Sequence, residues 1–158
     1  MSLHIVFVEP EIPPNTGNIA RTCAATDTVL HLVEPLGFKI DDKSLKRAGL
    51  DYWPFVKLEV HESLDAFMAK YGQGDRRLFL ATTKGGRIYT EPVYRDEDMF
   101  IFGKETAGLP RDFIAQHANT AIRIPMSADT RLRSFNLANS ANIILFEALR
   151  QLGFPGLK

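Results

Sequence analysis

The side chains best suited to chemistry in this 158-residue chain fall in three short stretches. Asn15 and Arg21 stand six residues apart at the head of the first helical pattern. Gly103, Glu105, Gly108 and Leu109 follow the apolar run Met99–Phe102. Ser134 and Asn136, with Arg133 just before them, open the last long apolar segment. Gly103 and Gly108 offer backbone that can come close to a flat ligand, because no Cβ intervenes. Ala81 and Ile124 lie where apolar runs end and suit contact with an aromatic ring. Backbone groups of the same loops, which include Thr82 and Leu109, could satisfy that ring's polar edge. Glu105 has two readings of equal weight: it contacts a ligand or orients its loop, or it is a carboxylate favoured at a helix start. An ordinary helix cap explains one of Ser134 and Asn136, whereas two polar groups after an arginine point to a site.

Several familiar chemistries are excluded. Gly103-Lys104-Glu105-Thr106 is not a P-loop, since Asp98 stands five residues before Gly103 and Glu105 occupies the magnesium-binding hydroxyl position. Gly72-Gln73-Gly74 fails as a dinucleotide fingerprint, because Arg77 takes the place of the third glycine. His61-Glu62 lacks the second histidine of a zinc protease motif. His4, His31 and His117 are scattered in sequence and read as structural. With one cysteine, Cys23, there is no internal disulfide and no multi-cysteine zinc site, and no metal is expected.

These candidates need elements to position them. Apolar runs at Leu3–Val8, Val29–Val33, Phe55–Val60, Leu78–Thr82, Met99–Phe102 and Ala121–Ile124 predict strands. Helices are expected from an Asn15 cap to about Thr26 with Ile19, Cys23 and Ala24 inward, over Leu45–Leu50, from Ser63 to about Lys70, and over about 136–151. Strands apolar on both faces, alternating with helices, predict an α/β fold with a parallel sheet flanked by helices. Ligands in such sheets bind beyond the strands' carboxyl ends, which points to the loops 82–87, 103–110 and 125–136. The last helix is apolar on two sides, with Ile143 and Phe146 opposite Leu137, Ala141, Ile144, Leu145, Ala148 and Leu149. That breadth suggests a second subunit as cover.

With 45% hydrophobic and 24% charged residues, the composition is that of one globular domain, taken as residues 1–158. No leader or membrane span is visible, so the cytoplasm is the expectation. Nineteen basic residues balance nineteen acidic ones. That balance speaks against non-specific nucleic-acid binding, which draws on phosphate neutralisation. Local clusters temper the conclusion: Lys43, Lys46 and Arg47; Arg76 and Arg77; Lys84 and Arg87; Arg131 and Arg133.

Three segments carry a resemblance. They are Asn15-Thr16-Gly17-Asn18-Ile19-Ala20-Arg21 and on to Thr26; Phe102-Gly103-Lys104-Glu105-Thr106-Ala107-Gly108-Leu109-Pro110; and Ile124-Pro125-Met126 with Arg133-Ser134-Phe135-Asn136-Leu137-Ala138-Asn139-Ser140. Together they resemble the three signature motifs of the SPOUT RNA methyltransferases, in order and spacing, from residue 3 to about residue 156. Glu9–Asn18 and Lys46–Tyr52 are similar to the small branch of that class, which is little more than a catalytic domain. The resemblance implies a C-terminal deep trefoil knot, an exception to the rule that chains avoid knots. It also implies S-adenosyl-L-methionine as cofactor, and a homodimer with active sites at or near the interface. The implied substrate is a leucine-type transfer RNA, bound through its anticodon arm and methylated on the ribose 2′-hydroxyl of a wobble cytidine or uridine.

By the same resemblance Arg21, Asn15, Ser134 and Asn136 would be catalytic. Ala81, Thr82, Gly103, Glu105, Gly108, Leu109 and Ile124, again with Ser134 and Asn136, would hold the cofactor. Departures lie around the site mouth: a longer segment between Met126 and Arg133 that adds Arg131, Ala107 where arginine or a small polar residue is common, and Trp53 in place of a histidine. Two alternatives stay open: a SPOUT enzyme for another RNA or position, and a non-catalytic cofactor- or RNA-binding module.

Overall fold

The computed structural model describes residues 2–41, 43, 47, 52–132 and 134–158. Apart from Arg47, the helix expected over 45–50 lies outside the described residues, as do Lys46 and Arg133. Seven parallel strands form one sheet: β1 (His4–Val8), β2 (Val29–Val33), β3 (Lys57–His61), β4 (Leu78–Ala81), β5 (Arg87–Ile88), β6 (Met99–Phe102) and β7 (Ala121–Arg123). Their order across the sheet is β3-β2-β1-β6-β4-β7-β5. The helices among the described residues are α1 (Pro13–Ala25), α2 (Leu64–Tyr71), α3 (Arg111–Gln116) and α4 (Leu137–Gln151).

Period-two alternation sorts the core into two layers. Leu3, Ile5, Phe7, Leu30, Leu32, Phe100 and Phe102 face one side, packed with Ile19, Ala20 and Cys23 of α1 and Ala141, Ile144 and Leu145 of α4. Val6, Val8, Leu80, Met99 and Ile101 face the other, against Phe67 and Tyr71 of α2 and Phe113 of α3. Burial also pushes the Cys23 thiol up, leaving it a small apolar packing group.

The expected fold class holds, with local corrections. Asn15 is not a helix cap. Pro13 and Pro14 supply the first turn, because their fixed φ suits that position, and the helix starts at Pro13 after Ile12. Ala20 is fully buried on the inward face, whereas Ala24 is half-buried. Trp53–Phe55 forms a 3-10 turn, so β3 begins at Lys57 rather than Phe55. Two elements carried no sequence signal. β5 is two residues long, one of them Arg87, and pairs with β7 alone. α3 is a six-residue helix directly after Pro110.

Candidate active site

β4, β6 and β7 lie side by side, and their carboxyl ends open onto a cavity of about 640 Å³. Its apolar wall includes Ala81, Phe102, Leu109, Ile122, Ile124 and Ile144, with Thr82, Gly103 and Gly108 among the loop residues beside them. Asn15, Glu105, Ser134 and Asn136 line it as well. Every expected cofactor residue therefore borders one space.

The two loop glycines do different things. A Cβ on Gly103 would come within 2.0 Å of the Gly108 carbonyl carbon and 2.2 Å of the Leu109 nitrogen. Its close approach is to its own loop, which folds back through a Lys104–Gly108 bridge. Gly108 adopts φ +70° with open space where a Cβ would point, so it satisfies a left-handed turn and leaves its outer side clear.

Glu105 is placed by its partners at the start of α1. Its two oxygens accept from the backbone nitrogens of Glu11 (2.8 Å) and Ile12 (2.9 Å) and from Asn15 Nδ2 (3.0 Å). Glu11 returns the contact, accepting from the Thr106 nitrogen (3.1 Å) and hydroxyl (2.7 Å). Those bonds, the hydroxyl's foremost, hold the Glu11 carboxyl below the usual range.

Orientation then passes from residue to residue. A carboxylate only accepts, so the Asn15 amide must turn its nitrogen to Glu105 and its oxygen away. That oxygen accepts from Asn136 Nδ2 (2.9 Å). Asn136 Oδ1 is left to cap α4, accepting from the Asn139 nitrogen (3.1 Å). One chain of hydrogen bonds thus joins all three sequence stretches, and Asn136 lines the cavity with a second amide N–H that none of these bonds uses. Ser134 is exposed at the same mouth.

Arg21 is the outlier. It is exposed and forms no part of the cavity wall. Six residues of helix place it about 9 Å along α1 from Asn15. The mouth also carries residues that sequence reasoning passed over: Ile12 (45% exposed), Phe135 (46% exposed) and Arg111. The apolar pair stands inside the motif segments, beside polar residues that drew the attention.

Three histidines read as unconnected or as a failed zinc motif converge elsewhere. Glu97 Oε1 meets His4 Nε2 (3.2 Å), His4 Nδ1 meets His31 Nε2 (2.9 Å), and His31 Nδ1 meets His61 Nε2 (3.0 Å). Burial lowers the pKa of all three rings, that of His31 to about 3. Among the described residues, His31, Glu59 and His61 are the group whose ligand atoms could share a metal ion, lying within 4.8 Å. Both His31 nitrogens, His61 Nε2 and the Glu59 carboxylate are engaged, however. The ring nitrogens face each other, and Glu59 accepts from Lys70 (2.8 Å) and from Tyr71 (2.6 Å). Burial would raise the Glu59 carboxyl, but the bonds from Lys70 and Tyr71 outweigh it and hold it at about 2. In-register strands put His31 opposite Glu59, and strand pairing is what a sequence does not display.

The model of the SpoU rRNA methylase family matches residues 2–146. The chain belongs to that family. This SpoU methylase is 49% identical over 155 residues to the Escherichia coli K12 tRNA (cytidine(34)-2'-O)-methyltransferase, covering 98% of this chain and 96% of that one. A Geobacillus stearothermophilus protein provisionally named for the same activity is 51% identical over 160 residues, spanning 99% of both chains. Among solved structures, one that concerns the 2-OH methylation of C/U34 on tRNA superposes with a TM-score of 0.90. It is 43% identical, with 96% of this chain and 97% of that chain covered. The A. aeolicus TrmH/SpoU tRNA-modifying enzyme shares the fold at a TM-score of 0.80 and 21% identity, over 99% of this chain and 81% of that one.

Proposed function

We propose that this SpoU methylase transfers a methyl group from S-adenosyl-L-methionine to the ribose 2′-hydroxyl of the wobble nucleotide, cytidine or uridine 34, of a transfer RNA. The observation that carries the reading is the Glu105–Asn15–Asn136 chain, which fixes three remote segments around a cavity of about 640 Å³. That volume and a largely apolar wall with a few polar groups suit a nucleoside-sized cofactor. Ala81 and Ile124 would flank the adenine ring, and backbone groups of Thr82, Gly103, Gly108 and Leu109 would meet its polar edge. Ser134 and the spare N–H of Asn136 would face the amino-acid part or the substrate ribose. Glu105 serves by holding Asn15 and the start of α1.

When bound, the cofactor supplies a methyl group already activated by its positive sulfur. The chain's own residues would align the hydroxyl oxygen with the methyl carbon and sulfur, and the hydroxyl proton would pass to solvent water as the C–S bond breaks and the O–C bond forms. A guanidinium stays protonated in proteins, so Arg21 acts as a fixed charge: it binds the adjacent phosphate and stabilises the developing alkoxide. No metal is required for these steps.

Arg21 lies outside the cavity wall, and α4 leaves Ile143 (36%) and Phe146 (45%) exposed. Both features favour a homodimer whose second copy helps complete each site. The anticodon arm of leucine transfer RNAs is the expected partner and the cytoplasm the expected location. The C-terminal knot of the class belongs to the same proposal. Among the described residues, no helix is long and apolar enough to cross a membrane.

The test uses purified protein, radiolabelled S-adenosylmethionine and total transfer RNA lacking the modification, with labelled nucleotides mapped by mass spectrometry. Label on 2′-O-methylated nucleotide 34 is expected. Label elsewhere, or cofactor binding with no RNA labelled, overturns the substrate assignment. A monomer by light scattering at micromolar concentration overturns the dimer.

A further inference from the structure

Arg21 stands on an exposed helix face, where a long side chain samples many rotamers. Among the described residues its guanidinium forms no ion pair. It rests instead over the ring of Tyr52, with the guanidinium carbon 4.7 Å from the ring centroid. Tyr52 is itself anchored. Its carbonyl accepts from the Phe55 nitrogen (2.9 Å), and the Trp53 carbonyl accepts from the Val56 nitrogen (3.2 Å). Trp53 and Val56 pack against the core layer that holds Ile19, Ala20 and Cys23 of α1. The ring and the arginine are thus fixed to one core from two sides, by a turn and by a helix 27 residues or more apart in sequence.

We infer that Tyr52 is a positioning residue for Arg21, holding the guanidinium ready for substrate through its aromatic face. This rests on the proposed role of Arg21. A carboxylate partner would restrain Arg21 too, but it would cancel the charge and occupy the forked N–H donors that a phosphate and an alkoxide need. An aromatic face attracts the cation through its quadrupole and accepts no strong hydrogen bond. Charge and all five donors stay available. RNA that covers the pair removes water and strengthens the contact, so the restraint tightens when it is needed.

The test measures methyl transfer at saturating cofactor over a range of transfer RNA concentrations, with cofactor affinity by calorimetry, for Tyr52→Leu, Tyr52→Phe and Arg21→Ala. Tyr52→Leu should lower kcat/KM for RNA by about threefold to thirtyfold, the span of a cation–π contact from exposed to desolvated. Cofactor affinity should stay parental, and Tyr52→Phe should remain within about twofold of parental because it keeps the ring. If Tyr52→Leu does not fold, Tyr52→Gln takes its place at this half-buried position. An impaired Arg21→Ala with a parental Tyr52→Leu overturns the inference and leaves the arginine's role standing. Equal losses in Tyr52→Phe and Tyr52→Leu assign the effect to the hydroxyl and also overturn it, as does weakened cofactor binding in Tyr52→Leu. A fully active Arg21→Ala removes the arginine's role and the inference together.

Discussion

Two regions of the sheet solve the same problem to different ends. In the β3-β2-β1 half, a carboxylate, Glu97, sets the orientation of a line of buried rings: His4 must donate to it, and so must accept from His31, which accepts from His61. In the β6-β4-β7 half, a carboxylate, Glu105, sets Asn15, and Asn15 sets Asn136. The histidines sit in the strands or at a strand's last residue and direct their N–H donors to one another and to Glu97. The asparagines sit beyond the strand ends, at helix starts, where both line a cavity beside the exposed Ser134 and Asn136 keeps an N–H that the chain does not use. Polar networks of equal order thus differ in function through a spare donor and a space for it to point into.

The contrast can be broken most forcefully at Gly103. Gly103→Ala should destabilise the protein by about 3 kcal/mol and abolish cofactor binding, because its Cβ would fall 2.0 Å from the Gly108 carbonyl carbon. Thermal melts and calorimetry check both effects. Wild-type cofactor affinity in this variant would show that the loop does not shape the cavity.

Next in size is Glu105→Ala. Losing a carboxylate that accepts three bonds should cost about 2 kcal/mol and lower methyl transfer roughly 30-fold. Glu105→Gln should recover part of it, measured as kcat/KM. His31→Leu should cost about 1–2 kcal/mol of stability, since it strands the facing nitrogens of His4 and His61. Cofactor affinity should be unchanged, and any loss of it would join the two regions that the structure separates.

The smallest effect is a pH dependence. Folding lowers the pKa of His4, His31 and His61, so below pH ~6.5 the unfolded chain binds protons that the folded chain refuses. Stability is therefore full above about pH 6.5 and falls with acidity through pH 5. Burial and the mutual closeness of the rings with Arg76 and Lys70 oppose charge on them, while Glu97 and Glu59 favour it. Below about pH 4.5 the depressed Glu59 and Glu97 carboxyls add to the loss in the same direction. Urea melts between pH 4.5 and 8 measure the slope, and His31→Leu should make it shallower.

Much of this was legible in sequence where local chemistry decides. Apolar runs marked six of the strands, Ser63 caps α2 through the Ala66 nitrogen, and Asn136 caps α4. Residues of all three motifs also border one cavity. What escaped depends on contacts between distant segments. Asn15 looked like a cap because its type suits one, yet Pro13 and Pro14 start the helix and its amide serves Glu105. Glu105 stayed between a ligand or loop role and a helix-start carboxylate because its partners lie 90 or more residues away. The histidines looked scattered because only sheet pairing brings them together.

The Asn15–Asn136 bond spans 121 residues. On a ribosome adding about 5–20 residues per second, Asn136 is joined to the chain roughly 6–24 s after Asn15. For that interval the earlier strands and α1 can exist while the pocket does not. Catalytic competence arrives as a dated event late in synthesis, and a chain stalled before Asn136 is a sheet with nothing to catalyse.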